Sequence, residues 1–192
     1  VAQLGRIVER QAKRLKEYFG QVMGTVALQE QQAKLVQVPI DESTQEILDE
    51  LRLRYGGEID IIYDPIGDGT ELFLDESYYF SILDNMVSNA IKFNDHTQKE
   101  IRFAWEKVDS RHFLKITDNG IGIAFTDREA IFTAFYRGHL SGNKPGLGLG
   151  LYYVKSCLDR LGWKIHLENP PGGGTIFYIY IDNESFNGKK QA

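Results

Sequence analysis

This sequence has little of what would tie it to a disulfide framework, a metal cluster or a membrane. Cys157 is its one cysteine, which excludes an internal disulfide, fits a reducing compartment and reads as a small apolar residue buried in a helix. Its four histidines, His96, His112, His139 and His166, are scattered, and with a single thiol they argue against a zinc site. No apolar run approaches the ~18 residues a membrane helix needs, and the N-terminus is not a signal peptide. Positive charge is also scarce: the net charge is -5 and no long basic run occurs, so nothing calls for nucleic acid or for membrane contact by this chain. The sequence opens on Val1 rather than Met, so a piece of something longer is expected, cytoplasmic itself, with any membrane anchor elsewhere.

Hydrophobic spacing organises what remains. Residues 1–34 contain no proline. Leu4, Val8, Ala12, Leu15, Phe19, Val22 and Val26 make one continuous seam on a long helix, which needs a partner to cover it. Pro39 ends that region. Ser43 and Glu46 form a capping-box pattern for a helix over 43–55. Strands are expected over 58–63 and 70–74 around an Asp68-Gly69 turn. Asp75 caps a helix over 75–93, and strands follow over 100–107 and 111–117. Thr126 and Glu129 cap a short helix, another spans 149–161, and strands over 163–168 and 175–181 close the sheet. The expected fold is α+β: a two-layer α/β sandwich, with helices on one face of a mixed, mostly antiparallel sheet, after one long N-terminal helix. The divisions are 1–36 for that helix, 37–183 for the globular domain and 184–192 for a polar tail.

Four segments carry polar chemistry. On the helix over 75–93, Phe80, Leu83, Val87, Ala90 and Ile91 share one arc and are expected to be buried. Asn85, Asn89 and Lys92 fall within ~60° of each other on the other side. A carboxamide oxygen suits Mg²⁺ and a lysine suits phosphate, although the same three residues also describe a solvated polar face. Asp118-Asn119-Gly120-Ile121-Gly122-Ile123 follows a strand. Its carboxylate can accept a hydrogen bond from a base amine while the glycines let the backbone approach closely, and D-N-G is equally good turn chemistry. Gly146-Leu147-Gly148-Leu149-Gly150-Leu151 opens a helix and so presents bare N–H groups to an anion. Its G-x-G-x-G spacing is neither the dinucleotide fingerprint nor a P-loop. The stretch 138–145 before it, with His139 and Lys144, reads as a mobile flap. Gly172-Gly173-Gly174-Thr175 is by itself a tight turn into a strand.

In this order and spacing the segments resemble the catalytic and ATP-binding domain of sensor histidine kinases, within the superfamily that includes gyrase, heat-shock chaperones and mismatch-repair ATPases. Residues 84–93 resemble the N-box, 118–123 the first glycine box, 131–137 (IFTAFYR) the kinase F-box, 146–151 the second glycine box and 172–175 the last. The likeness covers roughly residues 37–182. It implies an ATP site between the N-box helix and a lid. Asn89 would ligate Mg²⁺, while Asn85, Lys92 and Arg137 would be the catalytic, phosphate-handling groups. Asp118 would read the adenine amine. Phe93, Gly120, Gly122, Ile123, Tyr136, Lys144, the run Gly146, Leu147, Gly148, Leu149, Gly150, Leu151, and Thr175 would complete the nucleotide pocket.

The resemblance further implies transfer of the γ-phosphoryl group to a histidine, relay to a response regulator, and homodimerisation through a phosphotransfer hairpin whose second helix is residues 1–36. None of the four histidines here lies on a long helix or is followed by an acid, so the acceptor is expected outside this chain. Leu147 and Phe93 depart from the family's usual Ser or Thr and Tyr. Two other readings share the pocket: a non-catalytic ATP-binding signalling module, and an ATP-hydrolysing clamp. The clamp is disfavoured because Asn85 stands where a hydrolase carries its basic Glu. An anti-sigma serine kinase is disfavoured by the long N-terminal helix.

Overall fold

The computed structural model describes Gly5 and residues 33–109, 111–142 and 144–181. Residues 6–32, which carry most of the expected N-terminal helix, and 182–192, which hold the expected tail, lie outside them. Strand β1 (Val36–Pro39) leads into helix α1 (Ile40–Tyr55). Strands β2 (Asp60–Asp64) and β3 (Glu71–Leu74) precede helix α2 (Glu76–Lys92), and β4 (Glu100–Val108) and β5 (Arg111–Asp118) follow it. Three short 3₁₀ turns come next, then α3 (Gly150–Leu161), β6 (Trp163–Glu168) and β7 (Thr175–Ile181).

Five strands form one sheet in the order β2-β4-β5-β7-β6, and β1 pairs with β3 apart from it. β2 runs parallel to β4, and the other neighbours are antiparallel. Alternation along the strands sends Ile101, Phe103 and Trp105, Leu114 and Ile116, and Phe177, Ile179 and Ile181 to one buried face. The helices cover that face. Its centre is aromatic: the Tyr79 ring lies 6.5 Å from Trp105 and 6.3 Å from Trp163. Two of these rings are tied together by hydrogen bonds, because Trp105 Nε1 donates to Thr44 Oγ1 at 3.1 Å and to Tyr79 Oη at 3.2 Å, while the buried Trp163 Nε1 has no partner among the described residues. Cys157 is buried and free in α3, as its sequence context suggests. The architecture is the expected mixed two-layer sandwich.

Four local expectations are corrected. α1 starts at Ile40 rather than Ser43, with Pro39 at the N-cap and no side-chain cap. Ile40 is 1% exposed, and anchoring it in the core draws the helix back a turn past the Ser43–Glu46 pattern. The strands flanking Asp68-Gly69 do not form a hairpin: β2 pairs with β4, and β3 with β1, an edge strand that the sequence pattern does not announce. The buried stripe of α2 is Tyr78, Tyr79, Ile82, Leu83, Met86, Val87 and Ala90, with Phe80 and Ile91 only half-buried on its flanks. Tyr79 can occupy the core because its hydroxyl finds Thr44 at 2.7 Å there. Finally, Thr126 and Glu129 cap no helix. They lie in or beside two 3₁₀ turns, Phe125–Asp127 and Ala130–Phe132, neither with a side-chain cap.

Asp75 does cap α2, its carboxylate accepting from the Ser77 and Tyr78 amides at 3.0 and 3.2 Å. The cap fixes the start of the helix that carries Asn85, Asn89 and Lys92.

Candidate functional site

A cavity of about 550 Å³ opens between α2, the C-terminal end of β5, the segment 121–149 and the first turn of α3. Every residue assigned to the nucleotide site from the sequence lines it except Gly120 and Lys144. The size falls in the range of small-ligand sites.

At one end sits Asp118, the last residue of β5. Its Oδ1 accepts from the Gly120 amide at 2.8 Å. Burial pushes its pKa above the ordinary carboxylate value, although hydrogen bonds from Gly120 and from the Thr175 backbone and side chain pull the other way. Gly120 forms the wall behind Asp118 rather than the lining: a Cβ there would lie 2.6 Å from the Phe93 carbonyl oxygen. Next to it, the Ile121 amide donates to that same carbonyl at 2.9 Å, joining the 118–123 segment to the end of α2. Gly122, at φ 75°, backs onto Gly174, whose carbonyl would be 3.1 Å from an added Cβ. Segments distant in sequence thus meet around one carboxylate.

At the other end, the first turn of α3 stands over α2. An added Cβ on Gly150 would lie 3.2 Å from Asn85 Oδ1 and 3.6 Å from both Asn89 amide atoms, so a larger residue there would crowd the two amides. No side chain among the described residues caps α3, so its first N–H groups have no side-chain acceptor, the arrangement that suits an anion. Asn85 is anchored by Nδ2 donating to the Ser81 carbonyl at 2.8 Å. Asn89 Nδ2 is buried with no partner among the described residues. A half-turn of that amide exchanges its nitrogen for its oxygen, so the position suits a cation as well as an acceptor, and the residues present fit a hard metal ion.

Lys92 lies under the flap, where its ammonium occupies the space a Cβ on Gly146 would need. Burial and then the nearby Arg137 charge hold its pKa below the usual lysine value. Two cations close together with half-buried Lys92 desolvated favour a polyanion between them.

The flap itself carries contacts that the sequence did not disclose. Arg137 Nη2 donates to the Gly142 and Lys144 carbonyls at 2.9 and 2.7 Å, so its donors hold the flap backbone. Lys144 is paired with Asp95 beyond the end of α2, away from the cavity wall. Asn169 has no sequence signature either: its Nδ2 donates to the Ile123 carbonyl at 2.7 Å. The same holds for Asp127, a buried carboxylate on the lining. An acid in a loop and a lone Asn read as ordinary turn chemistry.

Comparison with known proteins gives the family and the fold of the chain. The family model for the "Histidine kinase-, DNA gyrase B-, and HSP90-like ATPase" matches residues 74–185. The chain is 28% identical over 159 residues to cyanobacterial phytochrome A of a Nostoc species, covering 79% of this chain and 20% of that protein. It is 31% identical over 134 residues to the aerobic respiration control sensor protein ArcB of Escherichia coli strain K12, covering 68% of this chain and 16% of that one. The chain therefore spans a fifth or less of the length of these two relatives. Full-length ShkA, solved in complex with AMPPNP, superposes with a TM-score of 0.76 at 22% identity over 94% of this chain and 39% of that chain, a likeness of fold.

Proposed function

The chain belongs to the histidine kinase-, DNA gyrase B- and HSP90-like ATPase family, and from that membership we propose that it is the ATP-binding catalytic part of a two-component sensor histidine kinase. The observation that carries this reading is the orphaned Asn89 amide beneath the uncapped N-terminus of α3. There a triphosphate would meet helix N–H groups, a carboxamide and Lys92 together.

The chain's own residues divide the work. Asp118 accepts a hydrogen bond from the adenine amine, and Phe93, Ile123, Leu149 and Leu151 supply apolar walls. The α3 N-terminus, Asn85 and Lys92 hold phosphate oxygens. Arg137 and Lys144 stand on the flap, and release of the Arg137 bonds to the flap carbonyls and of the Lys144–Asp95 pair would free both charges for the phosphates. Asn89 would hold Mg²⁺, which when bound neutralises charge on the phosphate oxygens. Transfer then rests on positioning and charge. A neutral imidazole attacks with its own lone pair: the N–P bond forms as the bond from γ-phosphorus to the bridging oxygen breaks, and ADP leaves. No group here has to remove a proton first, which agrees with an amide, Asn85, in that place.

The acceptor histidine, its hairpin, the second subunit that hairpin would recruit and the receiving response regulator all belong to this proposal. Among the described residues no helix is long and apolar enough to cross a membrane; the proposed site of action is the cytoplasm.

Calorimetry with ATP, GTP and ADP, with Mg²⁺ or with a chelator, tests the nucleotide part of the proposal. ATP should bind, Mg²⁺ should strengthen it, and GTP should bind poorly. Absence of ATP binding, or equal affinity for GTP, overturns the reading.

A further inference from the structure

Asp127 is 1% exposed, although it lies in a short surface turn. Its Oδ1 accepts from the Tyr136 hydroxyl at 2.9 Å and faces His139 Nδ1 at 2.5 Å. Its Oδ2 accepts from the His139 backbone amide at 2.7 Å. Gly138 presses so close that a Cβ there would come within 2.9 Å of Oδ2. Burial alone would raise this carboxyl's pKa. The donors from His139 and Tyr136 outweigh that effect and hold it below the ordinary value, so the group is an ionised acceptor at neutral pH. These donors all come from one place, the root of the flap.

The opposite side of the same root is held as firmly. Phe135 adopts φ 65°, a conformation a bulky residue keeps only when its surroundings impose it. Its amide donates to the Gly148 carbonyl at 3.1 Å. A Cβ on Gly148 would come within 2.3 Å of the Tyr136 carbonyl oxygen. Residues 135–139 are therefore gripped between Asp127 and Gly148, and Arg137 sits at the middle of the grip. From there its guanidinium bonds the flap carbonyls of Gly142 and Lys144.

We propose that Asp127 is a positioning residue for triphosphate recognition: by binding Tyr136 and His139 it fixes the root of the flap, and with it Arg137, at the phosphate end of the cavity. The proposal rests on the nucleotide reading of the site. Asp127 acts through the residues it holds and not through contact with the reacting atoms. Because the flap serves the phosphates and the Asp118 end serves the base, losing the grip should separate the two affinities.

The test measures ATP and adenosine binding to the 192-residue chain, together with amide hydrogen exchange of the nucleotide-free flap. Asp127→Asn keeps the side chain's volume but turns an amide N–H₂ toward donors. It should lower ATP affinity about tenfold, the scale of a lost charged hydrogen bond, leave adenosine affinity unchanged and speed exchange across the flap. His139→Ala, at a side chain 74% exposed, cannot disturb the core and should shift both readouts in the same direction by less. Unchanged ATP affinity and unchanged flap exchange in both variants would overturn the proposal, as would equal losses for ATP and adenosine, which would mark Asp127 as structural support only. If the unaltered chain bound no ATP the nucleotide reading would fail by itself, while flap exchange without nucleotide would still report on the grip.

Discussion

Gly174 and Asp118 meet backbone to backbone: a Cβ on Gly174 would lie 2.0 Å from the Asp118 carbonyl oxygen. Gly174 also holds φ 84°, which L side chains rarely adopt. The turn that looks least informative in the sequence therefore sets the position of the carboxylate at the base end of the site. Gly174→Ala should cost about 2–4 kcal/mol through overpacking and backbone strain, read from urea unfolding. It should also weaken ATP binding by displacing Asp118. A variant as stable as the parent would show that this contact does not set the strand.

Asp118 itself should show opposite effects on stability and binding. Burial raises its folded-state pKa above 3.8. In the window from 3.8 up to that raised value the folded chain holds a proton that the unfolded chain has lost, so stability falls as pH rises. Above the window the cost of the buried charge is fully present. Asp118→Asn removes that cost and should leave the fold at least as stable at neutral pH, while weakening ATP binding by about 1–3 kcal/mol. Parent affinity for ATP should fall as pH drops through the raised pKa. Normal ATP binding by Asp118→Asn would remove Asp118 from the base subsite.

These two residues also separate what can be read along the chain from what cannot. Asp118 is legible at a strand end beside its glycines, and Asp75 is legible as a cap because its bonds go to residues two and three positions on. The order of the glycine segments is legible because each has a fixed local form, but the contact of Gly174 with Asp118 is not. Neither the pairing of β2 with β4 nor the pairing of β3 with β1 has a local signal, and the Asp68-Gly69 turn chemistry points to a hairpin that tertiary pairing overrides. Asp127 likewise gains its meaning only when Tyr136 and His139 fold onto it. Asn89 is legible by helical phase, but its unsatisfied amide is a property of packing.

Lys92 should make binding sensitive to alkaline pH. Its pKa is lowered from 10.5, by burial first and by Arg137 second. Below the lowered value the folded chain carries the full cost of the buried ammonium. As pH rises through it toward 10.5, the folded chain releases the proton first, and stability rises. Affinity for a polyphosphate should fall over the same range. Lys92→Met should abolish that pH dependence and weaken ATP binding by about 2 kcal/mol at neutral pH. An unchanged pH profile in the variant would place the titrating group elsewhere.

Asn89→Ala should separate binding from folding. Because its buried amide nitrogen has no partner among the described residues, removing it should change stability by less than about 1 kcal/mol. ATP affinity in Mg²⁺ should drop to the level found with a chelator. Retained Mg²⁺ dependence would assign the metal to another residue.

The most direct measurement follows acid-labile, base-stable phosphate in the full-length protein supplied with γ-labelled ATP. Label should appear on a histidine outside these 192 residues, with none on His96, His112, His139 or His166. It should vanish when the full-length protein carries Asn89→Ala. A full-length protein that binds Mg²⁺·ATP yet never labels a histidine would contradict the kinase reading and identify a non-catalytic nucleotide sensor instead.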